Sequence, residues 1–201
     1  NLLRKHGIKD VGITTWYLKE KIIDYFGNGS KFGMNITYLE EEELIPSARA
    51  IKQLEDFVDD EVMIIFGDIF TDANLTKLIN FHKKNKADIT LATYQLSPGY
   101  PTAILKFDKD NKLTYFIEKP TEKEYNKIPV NKRLVNAGLI IFKKEIFNKI
   151  PKNSGKNVSD IVQELYKKQK TFVYKLKKDE YIMEIGNIKR YLKAKEDIES
   201  G

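Results

Sequence analysis

Apolar and polar residues alternate along the first half of the chain with two different periods. The runs "DVGITT" (10–15) and "EVMIIF" (61–66) are typical of buried strands. The segment "LKEKIIDYF" (18–26) instead repeats its apolar residues at helical spacing. The pattern predicts strands at 10–15, 34–40, 61–66 and 88–95, and helices at 18–26, 47–57 and 72–85, the last two beginning at Ser47 and Asp72.

Short strands and helices in alternation indicate a largely parallel sheet that is covered by helices. After Gln95 the pattern changes to that of a mixed sheet with insertions. Because no glycine- or proline-rich linker interrupts the chain, we predict a single α/β domain over residues 1–201. The later elements are predicted as two strands around a turn at 108–111, strands at 133–142, 171–178 and 181–186, and helices at 158–169 and 188–199.

Composition narrows the classes of function. The chain has no cysteine, which excludes disulfides, thiolate metal sites and cysteine nucleophiles and fits a cytoplasmic location. No apolar run approaches the roughly 20 residues of a membrane span. The formal net charge is +6, but lysines alternate with acids and no basic stripe is interleaved with aromatic residues, so we expect no nucleic-acid partner. Nothing in the sequence decides against a homo-oligomer.

Asp68 is the first candidate site residue, because it follows the apolar run "MIIF" and Gly67. In an open parallel sheet, ligands bind beyond the carboxyl ends of the strands. A carboxylate held there suits Mg²⁺, which prefers one or two carboxylates together with substrate phosphates. An aspartate that only shapes a turn is the alternative.

Three later motifs place polar groups at strand ends. Glu118 and Lys119 in "FIEKPT" offer a carboxylate for sugar hydroxyls and a cation for phosphate, or a surface ion pair. Asn136 and Gly138 in "VNAGLIIF" offer an amide and close backbone approach, or a strand bulge. Glu184 in "MEIGNIKRY" offers a second carboxylate to the same metal, or an acid at a helix N-terminus.

Other conspicuous side chains are predicted to be structural. We expect His6 and His82 to lie in helical segments, at the surface or in helix packing, since neither is paired with a nucleophilic serine. Trp16, Phe116 and Phe142 are predicted to be core residues rather than stacking platforms.

Taken in this order, the motifs resemble those of the sugar-1-phosphate nucleotidyltransferases, over nearly the whole chain. The likeness is greatest to the guanylyltransferases for mannose 1-phosphate and heptose 1-phosphate and to the thymidylyltransferases for glucose 1-phosphate. "GDIF" looks like the family's metal-binding Gly-Asp, and "EKP" and "NAG" like its sugar-binding motifs. "EIGNIKRY" is similar to its closing "D-I-G-T-P-x-x-Y".

The resemblance implies a Rossmann-like, glycosyltransferase-A-like three-layer sandwich with a mostly parallel mixed sheet. It implies transfer of a nucleoside monophosphate from a nucleoside triphosphate to a sugar 1-phosphate, with Mg²⁺ as the cofactor. Asp68 and Glu184 are then metal ligands, and Lys119 contacts the sugar phosphate. The implied substrate-binding residues are Glu118, Asn136, Gly138 and Ala103, and the implied nucleotide-binding residues are Pro46, Ser47, Ala48 and Gly67.

The sequence also departs from the family's pattern. The glycine-rich "GGxGTRL" loop, which holds the triphosphate, is not found within the 201 residues, and we expect it and its strand to precede residue 1. "LIPSARA" (44–50) stands where the family has "PLGTAGA", and Glu184 stands where it has an aspartate. These departures leave two alternatives open: a catalytically reduced homologue that binds sugar nucleotides and regulates a partner, and an unrelated α/β binding protein.

Overall fold

The computed structural model describes residues 1–95, 103–118, 120–127 and 134–200, and for Tyr125 the backbone alone. The chain forms two compact units. Unit 1 comprises Asn1–Val62 and Lys143–Glu164, and unit 2 comprises Met63–Phe142 and Leu165–Gly201. Two compact units can belong to one domain, so the single domain predicted over residues 1–201 stays a prediction.

Unit 1 is built on a parallel pair of strands, β1 (Asp10–Thr15) and β2 (Asn35–Glu40). The chain crosses from one strand to the other through α2 (Lys19–Phe26) and a 3₁₀ turn at Ser30–Phe32. Its remaining elements are α1 (Leu2–Lys5), α3 (Ser47–Gln53), 3₁₀ helices at Glu55–Phe57 and Lys144–Lys149, and α6 (Val158–Leu165), which ends at the boundary of the unit.

Unit 2, which the chain enters within β3, contains a four-stranded mixed sheet. The spatial order is β3 (Glu61–Ile65), β8 (Leu134–Lys143), β5 (Ile89–Gln95) and β9 (Thr171–Lys175). Strand β5 runs antiparallel to β8 and parallel to β9. Two smaller antiparallel pairs join β4 (Ile69–Thr71) with β10 (Ile182–Glu184), and β6 (Ala103–Phe107) with β7 (Leu113–Glu118).

The core of unit 2 lies between this sheet and α4 (Leu75–Lys84). The helix buries Leu75, Leu78 and His82, which share one face because they stand three and four residues apart. The ring of His82 meets the sheet, with Nδ1 2.8 Å from the Thr90 hydroxyl. Residues 89–93 of β5 and 137–142 of β8 are buried without a break, so both faces of these strands are covered. The unit also contains α5 (Glu122–Asn126) and α7 (Ile188–Glu199).

Most predicted elements are confirmed, and α7 has the predicted bounds. The helix predicted at 47–57 ends at Gln53, and its N-cap is Pro46 rather than Ser47. The helix predicted from Asp72 begins at Leu75 because Asn74, whose side chain accepts from the Lys77 N–H, is the N-cap. The predicted helix 158–169 ends at Leu165. Elements that the sequence pattern did not predict include β4 and α5.

Among the aromatic residues, Phe116 and Phe142 are buried as predicted, but the prediction for Trp16 is wrong. Trp16 follows the last residue of β1 and is 42% exposed, beside the more exposed Tyr17. An aromatic residue just beyond a strand end has no sheet neighbour to cover it. None of the helices in the described ranges has the length and apolar character that crossing a membrane requires.

Candidate active site

The site begins with Asp68, which lies in the tight exit turn of β3. The Ile69 N–H donates to the Phe66 carbonyl at 3.0 Å, which closes the turn. Gly67 and Asp68 are exposed at its apex. The chain then enters β4, so the carboxylate stands between two strands on rigid backbone, at the strand end predicted from the sequence.

Strand pairing between β4 and β10 brings Glu184 next to Asp68. In this antiparallel pair Glu184 faces Ile69, the residue after Asp68. The Ile185 N–H donates to the Asp68 carbonyl at 2.7 Å and extends the pairing by one step. Two residues far apart in sequence thus share one end of a small sheet, as the prediction of a common metal requires.

Gly186 shows how closely the two carboxylates converge. A Cβ atom built on this glycine would lie 2.5 Å from Glu184 Oε1 and 3.1 Å from Asp68 Oδ2. Both oxygens therefore border one small space that a side chain at position 186 would fill. The Gly186 N–H also donates to Glu184 Oε1 at 3.0 Å, which orients that oxygen.

This cradle fits a hard divalent cation. Carboxylate oxygens are the protein ligands that Mg²⁺ prefers, and it usually takes only one or two of them beside water and phosphate oxygens. In the described ranges no cluster of three or more His, Cys, Asp or Glu side chains could hold a metal ion. The pair Asp68 and Glu184 accordingly suits an ion whose other ligands come from a bound phosphate.

Arg190 is a site residue that the sequence analysis missed. Its guanidinium Nη1 forms an ion pair with Glu184 Oε2. Its backbone N–H donates to the side chain of Asn187, the N-cap of α7, at 3.0 Å. Burial raises the pKa of Tyr94, and the positive charge of Arg190 partly offsets that rise.

A signal for Arg190 was present in the sequence. The first turn of α7 contains no acidic residue, although the positive end of the helix dipole favours acids there. It contains Lys189 and Arg190 instead. Cations in that position indicate an anionic group nearby, and in this structure Glu184 is that group.

Asn136 and Gly138 form a bulge in β8. Asn136 Oδ1 accepts from the Gly138 N–H at 3.0 Å, and the β5–β8 register shifts opposite these residues. Gly138 has φ +69, and a Cβ there would lie 2.6 Å from the Ile69 side chain. The glycine thus lets β8 pass close to the segment that carries Asp68, and the Phe66 N–H donates to its carbonyl at 3.0 Å. The bulge alternative is confirmed, and the Asn136 Nδ2 group remains the candidate sugar contact.

The predicted sugar-binding residues of the second motif lie on the β6–β7 pair. Ala103 and Glu118 face each other at the open end of this pair. Ala103 is fully buried. Lys119 lies outside the described residues, so its predicted contact with the sugar phosphate stays a prediction.

The predicted nucleotide-binding residues of α3 belong to unit 1, where their polar groups already have partners. The Ser47 N–H and hydroxyl donate to Asn157 Oδ1 at 3.2 and 3.3 Å, and the Ala48 N–H donates to the Lys156 carbonyl. The Ser47 hydroxyl also accepts from the Val158 N–H at 3.0 Å. A nucleobase at this turn would have to displace these bonds or approach the Pro46 side.

Comparison with known proteins identifies the family to which this chain belongs. A family model described as nucleotidyl transferase matches residues 1–201. A D-glycero-alpha-D-manno-heptose 1-phosphate guanylyltransferase from Campylobacter jejuni is 31% identical over 92% of this chain and 76% of that protein. A UTP–glucose-1-phosphate uridylyltransferase from Synechocystis is 28% identical over 75% of this chain but only 41% of its own length.

Solved structures show the same fold at lower sequence identity. A Bacillus anthracis protein, assigned as a glucose-1-phosphate thymidylyltransferase and solved with sucrose, has a TM-score of 0.82. Its identity is 19%, and the match covers 96% of this chain and 77% of that chain. The predicted Rossmann-like α/β class with a mixed sheet is thereby confirmed.

Proposed function

Because the chain belongs to the nucleotidyl transferase family, we propose that it transfers a nucleoside monophosphate from a nucleoside triphosphate to a sugar 1-phosphate. A sugar phosphate oxygen forms a bond to the α-phosphorus while the bond to pyrophosphate breaks. The observation that carries the proposal is the convergence of Asp68 and Glu184 over Gly186. A pair of carboxylates at a strand end suits phosphate chemistry that needs a divalent cation but no side-chain nucleophile.

Asp68 and Glu184 are the residues that would hold Mg²⁺. When bound, the cation supplies positive charge to the phosphate oxygens, whose negative charge otherwise repels an incoming phosphate. The protein contributes the fixed position of the two carboxylates through the β4–β10 pairing and the Gly186 N–H. Pre-organisation of this kind is where a protein adds most to phosphoryl-group chemistry.

The sugar 1-phosphate is proposed to bind near the β6–β7 pair and the β8 bulge. Glu118 would accept hydrogen bonds from sugar hydroxyls, and Asn136 would donate one through Nδ2, since its Oδ1 is held by Gly138. Lys119 would bind the sugar phosphate as a point charge. Gly138 and the buried Ala103 would shape the surface against which the sugar lies.

We propose a guanine or thymine nucleotide as the donor, on the likeness to the heptose 1-phosphate guanylyltransferase and to the thymidylyltransferase structure. The relatives carry several base specificities, uridylyl transfer among them. The bonds from Ser47 and Ala48 to the 156–157 segment mean that base recognition here uses groups other than those N–H donors. Gly67 is proposed to lie against the nucleotide phosphates, where a side chain would interfere.

The test measures pyrophosphate release by the full-length protein that contains these residues. Four nucleoside triphosphates are screened against a panel of hexose and heptose 1-phosphates, with Mg²⁺ and with excess chelator. We expect release with one base and a narrow group of sugars, and none with chelator. No release with any pair, from a folded protein that binds a nucleotide sugar, would contradict transferase activity.

One observation favours the second candidate, a homologue that binds sugar nucleotides without turnover. Arg190 already neutralises Glu184, which is the second carboxylate of the site. If the pair never opened, Glu184 would offer the cation Oε1 alone, on a carboxylate whose charge the guanidinium already balances. The screen above separates the candidates, because the second would bind a nucleotide sugar and release no pyrophosphate.

A further inference from the structure

The carboxylate of Glu184 has both of its oxygens in use. Oε1 accepts from the Gly186 N–H and faces the space shared with Asp68 Oδ2. Oε2 is paired with the guanidinium of Arg190. A cation that approaches Glu184 therefore meets a carboxylate whose charge is already balanced by a neighbouring side chain.

Arg190 changes the electrostatics of the cradle. Two carboxylates alone would carry two negative charges, and the guanidinium reduces their sum to one. A dication next to a guanidinium is also repelled directly, and at a partly exposed site that repulsion is moderate rather than large. The Arg190 side chain is 53% exposed and that of Glu184 35%, so the guanidinium can turn towards solvent without breaking into the core.

The pair also has a favourable effect in the absence of metal. Two unscreened carboxylates over one glycine would repel each other and tend to separate. A guanidinium on Glu184 lowers that repulsion and holds the carboxylate near Asp68. Many exposed ion pairs contribute little to stability, so the expected consequence of this one lies in cation binding rather than in folding.

We propose that Arg190 is a positioning residue that competes with the divalent cation for Glu184. Before a cation binds, it keeps the two carboxylates together, and it leaves Glu184 when the cation binds. The cost is weaker cation affinity, so the protein requires a higher cation concentration than the two carboxylates alone would. This inference rests on the proposed role of Glu184 as a metal ligand.

The test is the affinity of the substrate-free, full-length protein for Mn²⁺, measured by electron paramagnetic resonance of the free ion. Arg190→Gln removes the charge and keeps a polar side chain of moderate length. We expect it to bind Mn²⁺ about three- to tenfold more tightly than the unsubstituted protein, because a competing charge beside the site is gone. Arg190→Lys, which keeps the charge, should stay within about twofold of the unsubstituted protein.

Lys189→Gln is the matched control, since Lys189 is an exposed cation in the same helical turn, and the ion pair with Glu184 belongs to Arg190. It should change Mn²⁺ affinity by less than about twofold if the ion pair, rather than net charge, is responsible. Unchanged or weaker Mn²⁺ binding by Arg190→Gln would overturn the proposal, as would equal tightening by Lys189→Gln. A melting curve of each variant without metal checks that the fold is retained.

Failure of this inference and failure of the proposed function give different results. If Mn²⁺ binds and Arg190→Gln does not change the affinity, the inference is wrong and the proposed transferase function is unaffected. If Arg190→Gln tightens Mn²⁺ binding but no substrate pair releases pyrophosphate, the proposed function is wrong and the competition stands. Absence of Mn²⁺ binding in every variant would overturn the inference, and the pyrophosphate screen would still decide the proposed function.

Discussion

Asp68 is the residue whose substitution separates a metal ligand from a turn-forming aspartate. Asparagine keeps the size and the side-chain carbonyl, so a turn should tolerate Asp68→Asn, but the anionic oxygen that Mg²⁺ requires is lost. We expect an unchanged melting temperature and a fall in Mg²⁺-dependent pyrophosphate release of about a thousandfold, since metal stabilisation is worth several kcal/mol. Glu184→Gln should act in the same direction.

Asp72→Ala is the matched control for Asp68→Asn. Asp72 Oδ1 accepts from the Tyr181 N–H at 2.6 Å, so its role in the described structure is to hold a loop. Its loss should lower the free energy of unfolding by about 1 kcal/mol and leave the release rate per folded molecule intact. A large drop in melting temperature for Asp68→Asn, with pyrophosphate release per folded molecule preserved, would show that Asp68 only shapes the turn.

Gly186 gives a prediction that depends on space alone. In Gly186→Ala the added Cβ would meet Glu184 Oε1 at 2.5 Å and Asp68 Oδ2 at 3.1 Å. The carboxylates must move apart, and a misplacement of about 1 Å at a catalytic group can cost roughly a hundredfold in rate. We expect pyrophosphate release to fall by roughly ten- to a hundredfold. Mn²⁺ binding should also weaken.

Stability should change little in Gly186→Ala, because the glycine is exposed, its φ lies outside the left-handed range and the displaced atoms end flexible side chains. The melting temperature should shift by less than about 4 °C. Gly155→Ala is the control, since a Cβ there meets nothing within 4 Å. Full activity and Mn²⁺ affinity in Gly186→Ala would mean that the two carboxylates do not share one ion.

Lys119→Ala tests the contact with the sugar phosphate, which is implied by the resemblance alone. A charge-assisted hydrogen bond to phosphate is worth about 1.5–3 kcal/mol. We expect kcat/KM for the sugar 1-phosphate to fall by roughly ten- to a hundredfold while triphosphate affinity stays nearly constant. A loss of triphosphate affinity, with kcat/KM for the sugar 1-phosphate nearly constant, would show that Lys119 does not contact the sugar phosphate.

The candidate residues show where sequence reasoning reached and where it stopped. Asp68 and Glu184 were identifiable because each follows an apolar run and lies within two residues of a glycine. Arg190 was not identified, because an arginine on an exposed helix is usually a solvated charge. The pairing of β10 with β4 places Glu184 within reach of Asp68, and Arg190 on α7 pairs with Glu184 from six residues further along the chain.

At the scale of elements, we expect the attachment of α7 to the segment before β10 to depend on pH. The Tyr181 hydroxyl donates to Asp197 Oδ2 on α7 at 2.9 Å. Burial, followed by this hydrogen bond and the carboxylate charge, raises the pKa of Tyr181 from 10.0 to about 12. The fold thus favours the neutral phenol, and its stabilisation is complete below about pH 10 and is lost as the pH rises through 12.

Tyr181→Phe should remove this dependence. Its free energy of unfolding should lie below that of the unsubstituted protein at neutral pH, and the difference should shrink between about pH 10 and pH 12. Denaturant titrations across that range measure it, and the exposed Tyr17, as Tyr17→Phe, is the control. A difference that stays constant with pH would show that the hydroxyl of Tyr181 is not what holds α7.

At the scale of the whole molecule, the glycine-rich loop of the family is the main question. The 201 residues contain no "GGxGTRL" segment, and the resemblance assigns such a loop to the triphosphate. We therefore expect a polypeptide of residues 1–201 alone to bind nucleoside triphosphates weakly and to turn over very slowly. Calorimetry with the four triphosphates checks this, and full activity from that polypeptide would show that the loop is dispensable.

The sequence by itself determined the α/β class, the family resemblance and most elements. Strand β1 and helix α7 have the predicted bounds because the alternation of apolar residues reports directly on the local backbone period. Even the turn between β6 and β7 follows from local chemistry, since the Asp108 side chain accepts from the Asp110 and Lys112 N–H groups.

The tertiary structure alone decided which distant residues became partners. β8 lies between β3 and β5 and runs antiparallel to β5, Ser47 is tied to Asn157, and Asp72 holds Tyr181 instead of beginning a helix. Strand order and register depend on the hydrogen bonds and packing that a strand finds across the sheet, and these leave no local period in the sequence. For the same reason the convergence of Asp68 and Glu184 over Gly186, and the hold of Arg190 on Glu184, appear only when the chain is folded.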